Sequence, residues 1–140
     1  MAIVLGKDGG VILPLKNLVR LGLGGKSGKG NQMFSWIHLE DVFRIIIFIQ
    51  KNKSIYGVLN TAAPNPETNI SFMKKFRKYM KIPFGLSTPK WLLEIGAVII
   101  KTETELILKS RWVIPERISN AGFKFKFSTL DETLNDILKN

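Results

Sequence analysis

Residues 28–41 read Gly28-Lys29-Gly30-Asn31-Gln32-Met33-Phe34-Ser35-Trp36-Ile37-His38-Leu39-Glu40-Asp41 and carry three successive structural signals. A glycine-rich loop leads into a short apolar strand, predicted over 33–37. A helix follows at once, and its first turn carries Glu40 and Asp41, where the helix dipole favours carboxylates. Loop, strand and helix in this order predict an α/β fold.

The rest of the chain shows the same mixture of short strands and helices. We predict strands over 2–5, 57–61 and 123–127, and helices over 11–21, 42–49, 70–80, 91–100, 102–109 and 115–122, with a last helix capped by Ser128. The helix over 11–21 is expected to be interrupted near Pro14. Because no repeat or linker is seen, residues 1–140 are predicted to form a single unit.

The composition excludes several kinds of site. The 140 residues include no cysteine and one histidine, which rules out disulfides and thiolate metal sites and argues against a histidine-based one. We therefore predict no metal site. No apolar run is long enough to cross a membrane, and the N-terminus lacks the pattern of a signal peptide. We expect a cytoplasmic protein without membrane contact.

The net charge of +10 invites a nucleic-acid interpretation. However, the basic residues are spread along the chain, and the densest group, from Lys74 to Lys81, lies on one predicted helix with Phe72, Phe76 and Tyr79. Helical spacing places the aromatic side chains mainly inside and the lysines in solvent. Nucleic acid is therefore a disfavoured partner. The alternative function is a non-enzymatic basic module that contacts nucleic acid or acidic partners.

Two glycine-rich segments fail as nucleotide-binding motifs. Gly25-Lys26-Ser27 has Arg20 where a P-loop needs its first glycine, and it follows a helix instead of a strand. Gly6-x-x-Gly9-Gly10 follows a strand but has Ile12 at the third glycine position of a dinucleotide fingerprint. A structural turn is the favoured interpretation there. For His38 we likewise favour a structural role. For Asp41 we favour a carboxylate at the start of a helix.

The order and spacing of several motifs resemble those of the NAD(P)-dependent epimerase/dehydratase superfamily of extended short-chain dehydrogenase/reductases. The matching segments are Val4 to Gly10, Gly28 to Asp41, Asn60 with Ala63-Pro64 and Pro66, and Ser110 to Phe125. The last of these resembles one epimerase-like branch with a C-terminal domain of unknown function, which implies that residues 88–140 form a helical C-terminal cap. The resemblance implies the C-terminal half of such a protein: an incomplete Rossmann-like fragment holding the last strands of a parallel sheet, with a mostly helical substrate-side C-terminal domain.

The resemblance also implies that cofactor binding belongs to a part of the parent protein that this chain does not contain. The N-terminal Rossmann half of the parent protein would be the partner of this chain and would bind NAD or NADP, so no cofactor is expected on this chain alone and no cofactor-binding residue is named. The sheet edge left by missing strands would favour self-association. The family's Tyr-x-x-x-Lys pair is absent, because Asn60 follows Tyr56 and Pro83 follows Tyr79 at that spacing. We therefore name no catalytic residue, and whether the chain is an enzyme stays open.

A small-molecule substrate is nevertheless implied, and four residues are predicted to contact it. Gln32, Phe34 and Trp36 would form a pocket wall, with Arg111 as a further candidate. Phe34 stands where sugar-nucleotide epimerases usually place an arginine for the substrate diphosphate, which favours a smaller or more apolar ligand. Trp36 fits the protein core equally well. The predicted function is thus the substrate-binding C-terminal portion of an epimerase-like oxidoreductase.

Overall fold

The computed structural model describes residues 2–7, 9–87, 110 and 112–139. Short strands alternate with longer helices along these residues, and the fold is α/β as predicted. The elements are β1 (Ile3–Leu5), α1 (Ile12–Arg20), β2 (Met33–Phe34), β3 (Trp36–His38), α2 (Leu39–Lys51), β4 (Glu67–Thr68), α3 (Asn69–Tyr79), α4 (Glu116–Asn120) and α5 (Leu130–Leu138).

The strands β1 and β3 form a parallel pair. Ile3 lies opposite Trp36 and Leu5 opposite His38. Parallel neighbours need a long crossover between them, and α1 with its following loop supplies it. Among the described residues β1 has a sheet neighbour on one side only, so its other edge is open.

The single strand predicted over 33–37 is two strands. Met33 and Phe34 pair antiparallel with Thr68 and Glu67, whereas β3 pairs parallel with β1. The two pairings belong to separate two-stranded sheets, and the chain passes from one sheet to the other at Ser35. The Ser35 carbonyl oxygen still accepts a 2.9 Å hydrogen bond from the Ile3 amide.

The parallel pair lies between two hydrophobic clusters. Leu5 and Trp36 face the larger cluster, which α1, α3 and α5 complete with side chains such as Ile12, Phe76 and Leu134. On the opposite side a smaller cluster joins α2 to α4 and contains Ala2, Ile37, Ile45, Ala62, Ile118 and Phe123. Burial on both faces is typical of a parallel sheet.

The predicted interruption of α1 near Pro14 is wrong. The helix runs unbroken from Ile12, and Pro14 lies in its first turn. Backbone N–H groups in a first turn have no partner within the helix, so a proline there removes no hydrogen bond. The helix α3 is capped by Thr68, whose hydroxyl accepts a hydrogen bond from the Ser71 amide.

The strand predicted over 57–61 is not formed. Gly57 has a backbone φ of 78°, which ends any extended run. Arg117 also occupies the backbone acceptors of this segment, since its guanidinium donates to the carbonyl oxygens of Tyr56 and Val58. One hydrogen bond to the sheet survives nearby, from the Ala63 amide to the Trp36 carbonyl oxygen at 2.6 Å.

The strand predicted over 123–127 is wrong as well, although burial alternates along these residues as it would in a strand with one buried face. Phe123 and Phe127 are buried while Lys124 and Lys126 are exposed. The amides of Lys126 and Phe127 donate to the carboxylate of Asp41 instead of to another strand. The last helix is capped by Thr129, one residue after the predicted Ser128.

The predicted helices over 91–100 and 102–109 lie outside the described residues. Of the predicted cap over 88–140, the structure describes Ser110 and residues 112–139. There the short helix α4 follows Pro115 as predicted, and α5 packs its buried side chains against α3.

Candidate functional site

The candidate site lies at the carboxyl ends of the parallel strands. After β1 and β3 the chain continues into Gly6 and Leu39, which are so close that a Cβ on Gly6 would lie 3.2 Å from Leu39 Cδ2. A cavity of about 500 Å³ opens here and is lined by Val4, Gly6, Lys7, Gly9, Gly10 and Leu39. In open α/β sheets, ligands bind at this end of the strands.

The lining of this cavity is mostly apolar and holds few reactive groups. Its described lining consists of two aliphatic side chains, three glycines and Lys7, which is the one charged side chain among them. Gly10 has a φ of 58°, so the loop turns sharply and presents backbone to the cavity. Such a lining can hold a flat or apolar ligand and neutralise one negative charge. It offers no carboxylate, imidazole or hydroxyl among the described residues.

His38, at the end of β3, has a structural role, as predicted. Its Nδ1 accepts a 3.0 Å hydrogen bond from the Glu40 amide and thereby caps α2. The proton therefore resides on Nε2, which donates to Asp136 of α5 at 3.2 Å. The ring also stacks on Phe127 with 3.8 Å between centroids. Both nitrogens are thus used for holding the fold together.

Asp41 is a buried carboxylate with three donors. Its Oδ1 accepts from the Lys126 amide at 2.9 Å and from the Arg44 guanidinium at 3.1 Å, and its Oδ2 accepts from the Phe127 amide at 2.9 Å. The predicted position at a helix start is confirmed. Sequence reasoning missed the contact with residues 126–127, because the strand predicted over 123–127 would pair those amides with a neighbouring strand.

The three predicted pocket-wall residues described by the structure are buried. Trp36 is fully enclosed, Phe34 is 3% exposed and Gln32 is 8% exposed. Phe34 packs on Phe72 with 4.3 Å between ring centroids, and Gln32 Nε2 donates to the Ser27 carbonyl oxygen at 2.7 Å. They lie along one segment but do not line the cavity after β1. Their contact with a substrate stays a prediction.

Arg111 lies outside the described residues, but the chain on either side of it is attached to the same region. The Met33 amide donates to the Ser110 hydroxyl at 3.0 Å, and the Val113 amide donates to the Ser35 hydroxyl at 2.9 Å. The C-terminal cap is therefore attached where the chain changes from β2 to β3.

The described residues contain neither a metal cluster nor a membrane span. No group of three His, Cys, Asp or Glu side chains within them could hold a metal ion. None of the helices in this part of the chain is both long enough and apolar enough to cross a bilayer.

The sequence of this chain is similar to part of several known proteins. The chain is 32% identical over 137 residues to an epimerase family protein of Staphylococcus aureus, and the match covers 98% of this chain and 45% of the relative. A family model described as a domain of unknown function (DUF1731) matches residues 88–137. This chain therefore matches the C-terminal region of epimerase family proteins. It spans about 45% of the length of that curated relative.

Two solved structures match nearly all of this chain, and in each of them the matching part belongs to a longer protein. Human epimerase family protein SDR39U1, crystallised with NADPH, matches with a TM-score of 0.87 and 32% identity over 99% of this chain and 46% of its own. A nucleoside-diphosphate sugar epimerase from Corynebacterium glutamicum matches with a TM-score of 0.73 and 25% identity, over 98% of this chain and 25% of its own. The recognised resemblance and the fold class are therefore confirmed: the chain matches the C-terminal part of larger epimerases.

Proposed function

We propose that this epimerase-family region forms the substrate side of an NAD(P)-dependent oxidoreductase and supplies no catalytic group of its own. An N-terminal Rossmann half would bind NAD or NADP and carry the reacting side chains. The share of each relative that this chain covers supports the proposal, as does the NADPH in the human relative's structure. A cytoplasmic location stays a prediction from composition.

The observation that carries the proposal is an apolar face on α2. Phe43, Ile46 and Ile47 are 59%, 48% and 50% exposed, and their spacing places them on one side of the helix. Leu39 and Val4 extend this apolar face to the open edge of β1. Burying the exposed part of each large side chain would contribute about 1 kcal/mol. We assign the apolar face, together with the open edge, to the N-terminal half.

The substrate would enter from the carboxyl ends of β1 and β3. We propose the cavity beside Lys7 as its outer wall, because the adjoining half of the sheet would close that cavity. Gln32, Phe34 and Trp36 are proposed as inner wall, reached from the side where Ser110 and Val113 attach. Arg111, between those two residues in sequence, is the proposed polar contact. The apolar lining and the lack of an arginine at position 34 favour a small carbonyl or hydroxyl compound.

Supplying a Rossmann half tests this function. We would fuse the N-terminal part of the Staphylococcus aureus relative to this chain and titrate it with NADPH, using cofactor fluorescence. The fusion is expected to bind NADPH saturably, whereas the 140-residue chain alone is not. A fusion that unfolds cooperatively but binds no cofactor at saturating concentrations would exclude the proposal.

A matched pair of variants then tests the apolar face within the fusion. Phe43→Asp should weaken NADPH binding or lower the thermal midpoint, because a charge would be buried between the halves. Val58→Asp is the control, since Val58 is 84% exposed and lies outside the apolar face. Equal effects of the two variants would count against this assignment.

A further inference from the structure

A second cavity of about 670 Å³ lies between α3, the turn that follows it and the start of α5. Four cationic side chains line it, from Lys74, Lys75, Arg77 and Lys78, with Asp131 as the one acidic residue of its described lining. No Asp or Glu occurs within α3 itself. None of these residues belongs to the cavity beside β1.

The nearby carboxylates are already committed to one lysine. Lys75 Nζ lies 2.7 Å from Asp131 Oδ2 and also contacts Glu67. Tyr79 donates its hydroxyl to Asp131 at 3.1 Å. Burial alone would lower the pKa of Lys75, but the hydrogen bonds to Asp131 and Glu67 outweigh burial and raise this pKa above its ordinary value. Lys75 is therefore held in place in its charged form, and it forms ion pairs with both Asp131 and Glu67.

The other cations are left for a ligand. Lys74 and Lys78 are exposed, and neither has an ion-pair partner within the part of the chain that the structure describes. They are four residues apart, so they lie on one face about 6 Å apart along the helix axis. Arg77 is anchored by its hydrogen bond to the Gly24 carbonyl oxygen, which is a neutral acceptor.

We propose that this cavity binds a phosphate-bearing ligand. Lys74 and Lys78 would contact the phosphate oxygens, Arg77 would add positive potential from the wall, and Ile82 and Pro83 would receive the less polar part of the ligand. Four cations against two committed carboxylates favour an anion with more than one charge. The inference is independent of the oxidoreductase proposal.

The test compares two double variants of the 140-residue chain. Tripolyphosphate is titrated by calorimetry, and a short labelled single-stranded oligonucleotide is titrated by fluorescence anisotropy, both at low salt. Lys74→Gln with Lys78→Gln should weaken binding by at least about tenfold, because two contacts with the anion are lost. Lys51→Gln with Lys53→Gln removes the same charge from exposed positions at the end of α2, and it should change affinity less than about twofold.

The two ligands distinguish the source of the phosphate. Tighter binding of the oligonucleotide, lost in the Lys74/Lys78 variant and steeply dependent on salt, identifies a nucleic-acid backbone. Binding of tripolyphosphate alone identifies a free phosphate compound. Equal losses in both double variants would reduce the effect to net charge and overturn the proposal, as would the absence of saturable binding to either ligand.

Discussion

At the scale of single residues, Asp41 does the most to join distant parts of the chain. Its side chain has no exposed surface and accepts hydrogen bonds from the amides of Lys126 and Phe127 and from Arg44. Asp41→Asn keeps the shape but directs an NH₂ group at a backbone N–H. We expect it to lower the free energy of unfolding by about 2–4 kcal/mol, because a buried donor loses its acceptor.

Urea denaturation measures this loss, and Asp136→Asn provides the same chemical change at a 52% exposed side chain. An asparagine oxygen there can still accept the hydrogen bond from His38 Nε2. The control should therefore cost less than about 1 kcal/mol. Similar losses in the two variants would mean that the buried hydrogen bonds of Asp41 contribute no more to the free energy of unfolding than the exposed contact of Asp136.

At the scale of elements, the predicted helices that lie within the described residues are present, and so is the strand predicted over 2–5, whereas the strands predicted over 57–61 and 123–127 are not. The apolar run over 42–49 is helical as predicted, since His38 and the acidic first turn start the helix locally. The alternation over 123–127 correctly separated the rings from the exposed lysines, although Phe125 is only half-buried. It could not show that the amides pair with Asp41, which is 85 residues away from Lys126 in sequence. Likewise, Arg117 reaches Val58 across 59 residues.

The docking of α5 on α3 should depend on pH. Hydrogen bonding from Lys75 holds the pKa of Asp131 below its ordinary value. A lowered pKa in the folded state means that the stabilisation is complete above the unfolded value, near pH 4, and is lost as the pH falls through the folded value. Asp131→Asn should thus cost up to about 1 kcal/mol at pH 6, given its partial exposure.

Urea denaturation of the wild type and of Asp131→Asn at pH 6 and pH 3 checks this dependence. The difference between them should shrink at the lower pH, because there the unfolded state takes up a proton on the Asp131 carboxyl before the folded state does. Glu116→Gln, at an exposed position of α4, should have little effect at either pH. A difference of constant size across this range would show that the charge of Asp131 does not hold the two helices together.

At the scale of the whole molecule, the sequence indicated the family but not the shape of its sites. The motifs along residues 4–41 correctly located the loop at the carboxyl ends of the strands. Burial of Trp36 could not be decided, because an aromatic residue in a short strand suits a pocket wall and a core equally well. The cavity beside Lys74 was also beyond sequence reasoning, since it forms only where Asp131 of α5 meets Lys75 of α3.

The open edge of β1 and the apolar face of α2 should make the free chain self-associate. An unpaired strand edge beside exposed Phe43 and Ile47 is a surface that another copy can cover. Sedimentation velocity should therefore show a concentration-dependent dimer, which Phe43→Asp with Ile47→Asp shifts to monomer. Tyr56→Asp with Val58→Asp, at two exposed positions outside the apolar face, should leave the dimer intact.

The fusion protein should not dimerise through this surface, because the N-terminal half would cover it. A fusion that is still a dimer, and that dissociates when Phe43 and Ile47 are changed to aspartate, would contradict this account.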